Sequence, residues 1–244
     1  MKIIDKQINA KNTISIIIPF YNEEHEISSL LNDIEKFEQI NNSVREYIFI
    51  NDSSIDASLK IVKIFCSTIS KKLKIKIKII NNKKNIGWAK SVCKGYNTAK
   101  GDYLMFVPGD GEVKLTNFFN KISLNCDVTV IQRGSMPGRP LLRILISYIF
   151  RILVSIVFRI KSFDYNTIII LKKKVISTIK IQSNSFFINA EIIVKSFYYN
   201  FSIDYSQKLK LYKKKQYKST SLSFKSLFKV IRDFFKTFKF VYFN

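Results

Sequence analysis

The sequence predicts an α/β fold in which a mostly parallel sheet is covered by flanking helices. Short segments rich in Ile, Val and aromatic residues, each bounded by polar, Gly or Pro residues, recur along the first half of the chain. Helix-like segments separate them, and strands that alternate with helices form parallel sheets. Ligands of such sheets bind at the carboxyl ends of the strands, so functional residues are expected at that edge.

The strand segments cover 13–19, 46–52, 75–81, 103–107 and 127–132, and helices are predicted near 23–38, 55–72, 86–99 and 115–124. Apolar residues make up 47% of the 244-residue chain, which is enough for a full hydrophobic core. This composition excludes a disordered tail.

Residues 139–161 predict a helix that lies on a membrane surface rather than one that crosses it. Arg151 divides the stretch into two apolar runs, 144–150 and 152–158. A spanning helix needs about 20 apolar residues, and a central Arg costs it about 2.5–3.5 kcal/mol. Polar side chains recur every four residues and form one stripe along the helix: Arg143, Ser147, Arg151, Ser155 and Arg159.

The last segment, 222–244, is also amphipathic. Its basic residues lie three or four positions apart on one predicted helix face: Lys225, Lys229, Arg232, Lys236 and Lys239. Apolar residues take the other face: Leu227, Phe228, Ile231, Phe234, Phe235 and Phe238. This division is typical of a helix on an anionic bilayer, and a helix packed on the domain with solvated lysines has the same pattern.

The positive charge of the chain is concentrated in its second half. The whole sequence holds 41 Lys and Arg against 18 Asp and Glu, a net charge of +23. Residues 1–127 hold 19 basic and 14 acidic residues, whereas residues 128–244 hold 22 and 4. Because a uniform compositional bias would affect both halves alike, the asymmetry indicates an anionic partner: nucleic acid, a lipid surface or a phosphorylated substrate.

The cysteine and histidine content narrows the class of protein. Cys66, Cys93 and Cys126 are odd in number, widely spaced and flanked by apolar residues, which favours reduced thiols in the cytoplasm. The sequence has one histidine, His25, so metal sites with several His ligands are excluded and a Ser-His-Asp triad is disfavoured. The first twelve residues lack the apolar core of a signal peptide, so no export is predicted.

Polar clusters follow the first three predicted strands. The clusters at 19–24 and 51–56 each join a strand end to a helix start, where backbone amides and a carboxylate can hold a base and a ribose. The third cluster, 85–90, places Gly87 at a helix start and Lys90 one turn later, which suits a phosphate. Each cluster alone would also serve as ordinary helix capping.

The strand at 103–107 runs into an acidic turn of sequence Pro-Gly-Asp-Gly-Glu. Asp110 and Glu112 lie two residues apart, and the glycines between and before them allow close backbone approach. These carboxylates could supply oxygen ligands to Mg²⁺ or Mn²⁺, and a metal bound there could also hold a diphosphate. The same residues are common in ordinary β-turns.

In this order, the four clusters resemble the family 2 glycosyltransferases with the GT-A fold, most closely the branch of dolichol- and polyprenyl-phosphate sugar synthases. The family pattern runs from P-x-Y-N-E through V-D-D-G-S-x-D and N-x-G-x-x-x-A/R to D-x-D-x-Q/E. This chain has SIIIPFYNEE, FINDSSIDAS, NIGWAKSVCKGYNTAKGDYLMFV and PGDGE, and the resemblance extends over roughly residues 13–240. It implies a GT-A (Rossmann-like) fold, to which the residue pattern adds the amphipathic interfacial helices of the C-terminal part.

The resemblance implies a site for a nucleotide-diphosphate sugar of the GDP-mannose or UDP-glucose class. Pro19, Tyr21, Glu23 and Asp52 match positions that hold the base and ribose, and Lys90 matches a basic position near the diphosphate.

The resemblance also implies that Asp110 and Glu112 are the ligands of Mg²⁺ or Mn²⁺. The chain departs from the family pattern beside them, since Pro108 replaces the first Asp of D-x-D. Asn51 replaces the first Asp of V-D-D-G-S, and Ser53 replaces its Gly.

In the second half the resemblance is looser and implies a site for an acceptor phosphate. Arg133, Arg143 and Ser147 match positions that bind this phosphate and the charge of the departing diphosphate. Lys214 and Ser219 match a late loop with the same task, although the Arg and Gly of the family pattern are replaced there.

The implied reaction moves the sugar, with inversion, to a polyprenyl phosphate of dolichyl or undecaprenyl type. Because a phosphate oxygen is already ionised at neutral pH, no strong general base is required. Catalysis then consists of placing the nucleophile and neutralising the leaving diphosphate through a metal at Asp110 and through Arg133 and Arg143.

This interpretation assigns residues 1–132 to a nucleotide-sugar half and residues 133–244 to an acceptor half of one catalytic domain. The second half would face an anionic membrane surface. The protein is therefore expected in the cytoplasm, peripherally associated with the membrane through its amphipathic helices, with no signal peptide and no transmembrane span.

Three other interpretations stay open. A related enzyme could transfer the sugar to a glycan or small-molecule hydroxyl, with Asp164 or Glu191 as general base. A degenerate protein of this fold could bind without catalysis, as Pro108 and the altered late loop would allow. A nucleic-acid-binding protein is disfavoured, because the positive residues alternate with a continuous apolar face and no nucleic-acid motif is present.

Overall fold

Alternating residues of the first strand contribute to two hydrophobic cores, one on each face of a central sheet. Ile16 and Ile18 point into a core completed by helices 27–38 and 58–73, whereas Ile17 points into a core completed by helices 88–98, 141–158 and 188–198. Successive side chains of a strand face opposite sides, so an apolar run such as ISIIIPF predicts a strand covered on both faces.

The computed structural model describes residues 13–40, 44–73, 75–117, 119, 122, 124–133, 141–161, 165, 167–209 and 224–243. The strands are β1 (Ile14–Phe20), β2 (Val44–Asn51), β3 (Ile77–Asn81), β4 (Tyr103–Phe106), β5 (Val128–Arg133), β6 (Ile168–Lys172), β7 (Ile203–Asp204) and β8 (Lys208–Leu209). The helices are α1 (Ile27–Glu38), α2 (Ser58–Leu73), α3 (Trp88–Thr98), α4 (Leu141–Phe158), α5 (Lys173–Thr178), α6 (Ile188–Tyr198) and α7 (Phe224–Phe243).

The strands form one mixed sheet in the order β3-β2-β1-β4-β6-β5-β7, and β8 pairs with β5. Strand β6 runs antiparallel to both of its neighbours, β4 and β5, while the other pairs are parallel. The predicted α/β fold with a mostly parallel sheet is therefore confirmed. All five predicted strands are present, and β6, which the sequence analysis missed, joins residues of the second half to the centre of the sheet.

The predicted helices are present at α1, α2 and α3, but the segment 115–124 differs. Its described residues contain one 3-10 turn, Leu115–Asn117, and the remaining positions lie partly outside the described residues. Asp33 of α1 fixes this turn, because its carboxylate accepts hydrogen bonds from Leu115 N–H and from the Thr116 hydroxyl, both at 2.5 Å. Each of the three cysteines, all within the described residues, is a free thiol, as predicted.

Helix α4 turns the middle of its predicted polar stripe toward the domain, whereas Arg159, just after the helix, is exposed. Val154 and Phe158 are buried in the core, and Ser147, Arg151 and Ser155 beside them are half-buried. Among the side chains of α4 that the structure describes, the exposed ones are apolar or aromatic: Leu141, Ile144, Leu145, Ile146, Tyr148, Ile149, Ile152, Leu153 and Ile156.

Helix α7 packs on the domain through part of the apolar face that the sequence predicted. Phe234 lies 5.3 Å from Phe158 of α4, measured between ring centroids, and Phe238 also packs on the core. The exposed apolar residues are Leu227, Phe228, Ile231, Phe235, Tyr242 and Phe243, and they alternate with five exposed basic residues, Lys225, Lys229, Arg232, Lys236 and Lys239. Among the described residues, no helix combines the length and the hydropathy that a membrane crossing requires.

Candidate functional site

The carboxyl ends of β1, β2 and β4 meet at one edge of the sheet, because these strands are parallel neighbours. Backbone hydrogen bonds continue past the strand ends and hold the following loops together. Asp52 N–H donates to the Phe20 carbonyl at 3.0 Å, and Gly109 N–H donates to the Pro19 carbonyl at 3.2 Å. The first, second and fourth predicted clusters are thereby brought together.

The loops after β1 and β2 are held together by hydrogen bonds in which side chains of each loop bind the backbone of the other. Asn22 N–H donates to Ser54 Oγ at 3.1 Å, and the Asn22 side-chain oxygen accepts from Ile55 N–H at 2.9 Å. Asn22 and Ser53 both adopt positive φ angles, of 52° and 65°. Glycine reaches this region without steric cost, which explains why the family pattern has Gly where this chain has Ser53.

Asp52 organises the loop that leads into α3. Its Oδ1 accepts from Asn82 Nδ2 at 2.8 Å and Ile86 N–H at 2.9 Å, and its Oδ2 accepts from Gly87 N–H at 2.8 Å. The side chain is 3% exposed. The structure thus places Asp52 at the expected edge, but it engages both carboxylate oxygens in bonds to the protein.

Asn82 and Lys94 support Asp52 and were not predicted from the sequence. Lys94 Nζ donates to the Asn82 side-chain oxygen at 2.8 Å, and Asn82 Nδ2 also donates to Ser91 Oγ at 3.0 Å. The position of Asn82, directly after the third strand, is the same kind of signal that identified Asp52 after the second.

The other predicted donor residues lie at the same edge with different degrees of exposure. Pro19 is buried within β1, Glu23 is half-buried, and Tyr21 is 43% exposed. Lys90 is exposed in the first turn of α3. Tyr21 and Lys90 therefore present side chains that a ligand at this edge could reach.

The acidic turn, residues 108–112, packs closely against the end of β1 and the start of α1. A Cβ at Gly109 would lie 2.7 Å from the Phe20 Cβ, and one at Gly111, where φ is +70°, would lie 3.1 Å from the Glu26 carbonyl oxygen. Glycine at both positions lets the turn approach closely. This approach brings Asp110 and Glu112 to the sheet edge where the carboxyl ends of β1, β2 and β4 meet, which we call the donor edge. Both carboxyl groups are half-buried, and Glu112 N–H donates to Asp110 Oδ1 at 3.2 Å.

This pair of carboxylates fits a divalent cation that is shared with a substrate. No cluster of three or more His, Cys, Asp or Glu side chains suited to a metal occurs in the part of the chain that the structure describes. Mg²⁺ usually needs only one or two protein carboxylates, because substrate phosphates and water complete its coordination.

The predicted acceptor residues are placed only in part. Two successive antiparallel pairings give β5 the direction of β4, so Arg133 ends β5 at the same edge as the donor loops. Arg143 lies in the first turn of α4, and Ser147 is half-buried one turn further on. Lys214, Ser219 and Asp164 lie outside the described residues.

Glu191 is engaged inside the protein. It is fully buried; its Oε1 accepts from Gln182 N–H at 2.9 Å and from Lys195 Nζ at 2.6 Å, and its Oε2 accepts from Ser183 N–H at 2.8 Å. Lys195 follows Glu191 by four residues, a spacing that predicts contact on one helix face. A carboxylate in this setting has no route to a substrate proton, which removes the support for Glu191 as general base.

A family model described as glycosyl transferase family 2 matches residues 15–187, which is most of the chain.

Two curated relatives are similar over less than half of the chain. The dolichyl-phosphate beta-glucosyltransferase of Dictyostelium discoideum is 32% identical over 110 residues, which are 43% of this chain and 33% of that protein. The cholesterol galactosyltransferase of Borreliella burgdorferi is 32% identical over 108 residues, which are 43% of this chain and 27% of that protein. The chain thus spans a third or less of the length of these two relatives.

Among solved structures, the fold is similar to that of glucosyl-3-phosphoglycerate synthase from Mycobacterium tuberculosis, solved with Mn²⁺, UDP and glucosyl-3-phosphoglycerate. The TM-score is 0.69 at 13% sequence identity, with 93% of this chain and 80% of that one covered. At this identity the similarity is one of fold, and it confirms the predicted GT-A architecture.

Proposed function

The chain belongs to glycosyl transferase family 2, and on this premise we propose that it moves a sugar, with inversion, from a nucleotide-diphosphate sugar to a polyprenyl phosphate. The observation that carries the proposal is the combination of a donor edge, where four loops converge, with an acceptor half that exposes apolar and basic helices. A water-soluble acceptor would give no reason for such helices, whereas a lipid phosphate requires both an apolar and a cationic surface.

The donor would bind with its base and ribose near Tyr21 and Glu23 and its diphosphate near Lys90. Asp52 acts in this arrangement by accepting hydrogen bonds from the Ile86 and Gly87 amides, so it fixes the loop that positions the start of α3 and Lys90. A helix start of this kind favours phosphate oxygens. The UDP bound to the solved neighbour supports a nucleotide-diphosphate sugar, of the UDP-glucose or GDP-mannose class.

Asp110 and Glu112 would hold Mg²⁺ or Mn²⁺, in keeping with the Mn²⁺ bound to the solved neighbour. A bound divalent cation would neutralise the negative charge that develops on the leaving diphosphate. Lys90, Arg133 and Arg143 would add positive charge around the same group, and Arg143 with Ser147 would orient the acceptor phosphate.

The acceptor is assigned as a phosphate because a phosphate needs no general base. Glu191, one of the two carboxylates considered as a general base, is buried and bonded to Lys195, which favours an acceptor that needs no such base. Two relatives carry lipid acceptors in their names, dolichyl phosphate and cholesterol, which supports a lipid acceptor here. Leu141, Ile144, Leu145 and Tyr148 form an open apolar surface on α4, against which an isoprenoid chain would lie.

The exposed faces of α4 and α7 support membrane contact. Side chains such as Leu145, Ile149 and Phe228 are exposed to water, and burying a residue of this size stabilises a complex by about 1.5–3 kcal/mol. The lysines of α7 would interact with anionic headgroups at about 1 kcal/mol each. The protein is therefore proposed to bind peripherally to an anionic membrane surface.

The experiment that tests this function supplies the purified protein with Mg²⁺ or Mn²⁺, a short polyprenyl phosphate and a panel of nucleotide sugars. A charged glycolipid is the expected product, and the corresponding polyprenol without phosphate should give none. Transfer to the free alcohol, or to a water-soluble acceptor alone, would replace the lipid-phosphate assignment with that of a hydroxyl transferase. No turnover of any sugar nucleotide would favour a binding protein.

A further inference from the structure

An exposed phenylalanine stacks on the single tryptophan of the chain at the donor edge. The ring centroids of Trp88 and Phe186 lie 5.6 Å apart with an interplanar angle of 25°. Phe186 is 42% exposed, whereas the next residue, Phe187, is fully buried. Packing of the core therefore explains Phe187 but not Phe186.

Trp88, one member of this aromatic pair, lies next to residues assigned to donor binding. It is the first residue of α3 and follows Gly87, whose amide binds Asp52. Its ring packs edge-on against Phe106 at 5.3 Å, and Phe106 is the last residue of β4, four positions before Asp110. Lys90 occupies the same first turn of α3. The aromatic pair thus adjoins the expected places of both the diphosphate and the metal.

The segment that carries Phe186 is held by two buried carboxylates from different helices. Glu191 of α6 accepts from the Gln182 and Ser183 amides, and Asp233 of α7 accepts from Asn184 N–H at 2.8 Å. Both carboxylates are fully buried. Burying a charge costs free energy unless it is well paired, so this double anchoring indicates that the position of the segment matters.

We propose that Trp88 and Phe186 form a stacking platform for the ring of the donor sugar, and that Asp233 is a positioning residue for the segment carrying Phe186. The inference rests on the proposed function. A hexose presents C–H groups on one face of its ring, and the faces of aromatic rings carry a negative potential that attracts them. Because the sugar is attached to the diphosphate, a surface beside Lys90 and the acidic turn is where its ring would lie.

Fluorescence tests the platform directly, since Trp88 is the only tryptophan. The intact protein is titrated, in Mg²⁺, with UDP-glucose and GDP-mannose and, in parallel, with UDP and GDP. The sugar nucleotide of the correct class should change Trp88 emission beyond the change caused by its nucleoside diphosphate. The substitution Phe186→Ala should remove that difference and shift the emission of the free protein toward that of a more exposed tryptophan.

Kinetics provide the second measurement. Phe186→Ala should lower kcat/KM for the donor about tenfold, in line with the energy of an aromatic contact, and Phe186→Tyr should restore it. Asp233→Ala should give the same emission shift as Phe186→Ala with the platform residues intact. Phe197→Ala is the matched control, because Phe197 is a similarly exposed phenylalanine on α6 and should leave emission and kinetics unchanged.

The outcomes separate this inference from the function on which it rests. If the nucleoside diphosphate and the sugar nucleotide bind, by calorimetry, but alter Trp88 emission equally, the platform is wrong and the glycosyltransferase assignment stands. If a polyprenyl phosphate alone produces the emission change, the aromatic pair belongs to the acceptor and the sugar assignment is overturned. If no nucleotide binds, both proposals fall.

Discussion

Asp110 lies on the acidic turn, where the neighbouring glycines permit the close approach of the turn to β1 and α1. Asp110→Asn keeps an oxygen that can accept from Glu112 N–H but weakens metal binding. We expect transfer to fall about 100-fold or more, the scale of loss for a group that stabilises developing charge, with an unchanged melting temperature. The measurement is the initial rate of glycolipid formation.

The matched control for Asp110 is Asp102→Asn. Asp102 lies next to the opposite end of β4, where it accepts hydrogen bonds from Thr13. Transfer should be unaffected by this change. Equal rates for Asp110→Asn and the unsubstituted protein would mean that Asp110 is not a metal ligand.

Asp52 allows a prediction about stability. Asp52→Asn replaces one acceptor oxygen with an N–H donor, and that donor must face either the Gly87 amide or the Asn82 and Ile86 donors. An unsatisfied buried donor costs about 1–3 kcal/mol, so the free energy of unfolding in urea should fall by this amount. A loss below about 0.5 kcal/mol would mean that the loop into α3 is held by other contacts.

Glu38 allows a prediction about pH. Burial raises the pKa of Glu38 from 4.5 to about 7, partly opposed by the hydrogen bond that the Tyr47 hydroxyl donates to it at 2.5 Å. The folded state thus holds this proton more tightly than the unfolded chain does. The stabilisation is complete below about pH 4.5 and is lost as pH rises through about 7.

Glu38→Gln has no titrating carboxyl group at this position, so its stability should lack this pH dependence. The stability of the unsubstituted protein relative to Glu38→Gln should therefore decrease by on the order of 1 kcal/mol between about pH 5 and 8, measured by urea unfolding at each pH. A constant difference between the two proteins over this range would contradict the assignment.

Residues could be predicted from the sequence where the signal is local, and could not where it depends on a contact between distant positions. Pro19, Tyr21 and Asp110 were predicted to share one edge of the sheet, and they do, because the carboxyl ends of the parallel strands β1, β2 and β4 meet there. The engagement of Asp52 with Gly87 was not predictable, since the two residues are 35 positions apart. Phe186 was missed for the same reason, because its neighbour Trp88 is distant in sequence.

At the scale of elements, the periodicity of α7 predicted an apolar face but not what covers each part of it. Phe234 and Phe238 pack on the core, whereas Phe228 and Phe235 stay exposed, although all four share the predicted face. The division depends on where α4 and α6 lie, and a single helix pattern carries no such information. Strand β6 escaped prediction similarly, because its antiparallel insertion between β4 and β5 depends on long-range pairing.

The exposed phenylalanines of α7 carry a prediction about membrane binding. Phe228 and Phe235 are 69% and 61% exposed, so replacing both with Ser should leave the fold intact. Each loses about 1.5 kcal/mol or more of apolar burial in the bilayer, and association with anionic vesicles should weaken at least tenfold in sedimentation. Substituting Phe197 of α6 and Ile64 of α2 with Ser, two exposed apolar residues of other elements, is the control that should retain binding. Unchanged sedimentation of the α7 variant would mean that this helix packs on the domain and does not bind the membrane.

At the scale of the whole molecule, the charge asymmetry predicts how activity depends on salt. Anionic vesicles should support faster transfer to an embedded polyprenyl phosphate than neutral vesicles do at about 0.1 M salt, where the Debye length is about 10 Å. At about 1 M salt, where this length is about 3 Å, the advantage should disappear. An advantage that persists at high salt would mean that the positive charge of the second half does not act on the membrane surface.

The insertion of β6 has a consequence for how the chain can fold during its synthesis. β4 and β5 do not pair with each other, because β6 lies between them. A nascent chain that has emerged only as far as Arg133 therefore has β5 without its place in the sheet and β4 with one unpaired edge. β5 can join the sheet through β6 only after residues 168–172 have left the ribosome, so the order in which these strands are synthesised differs from their order in the sheet.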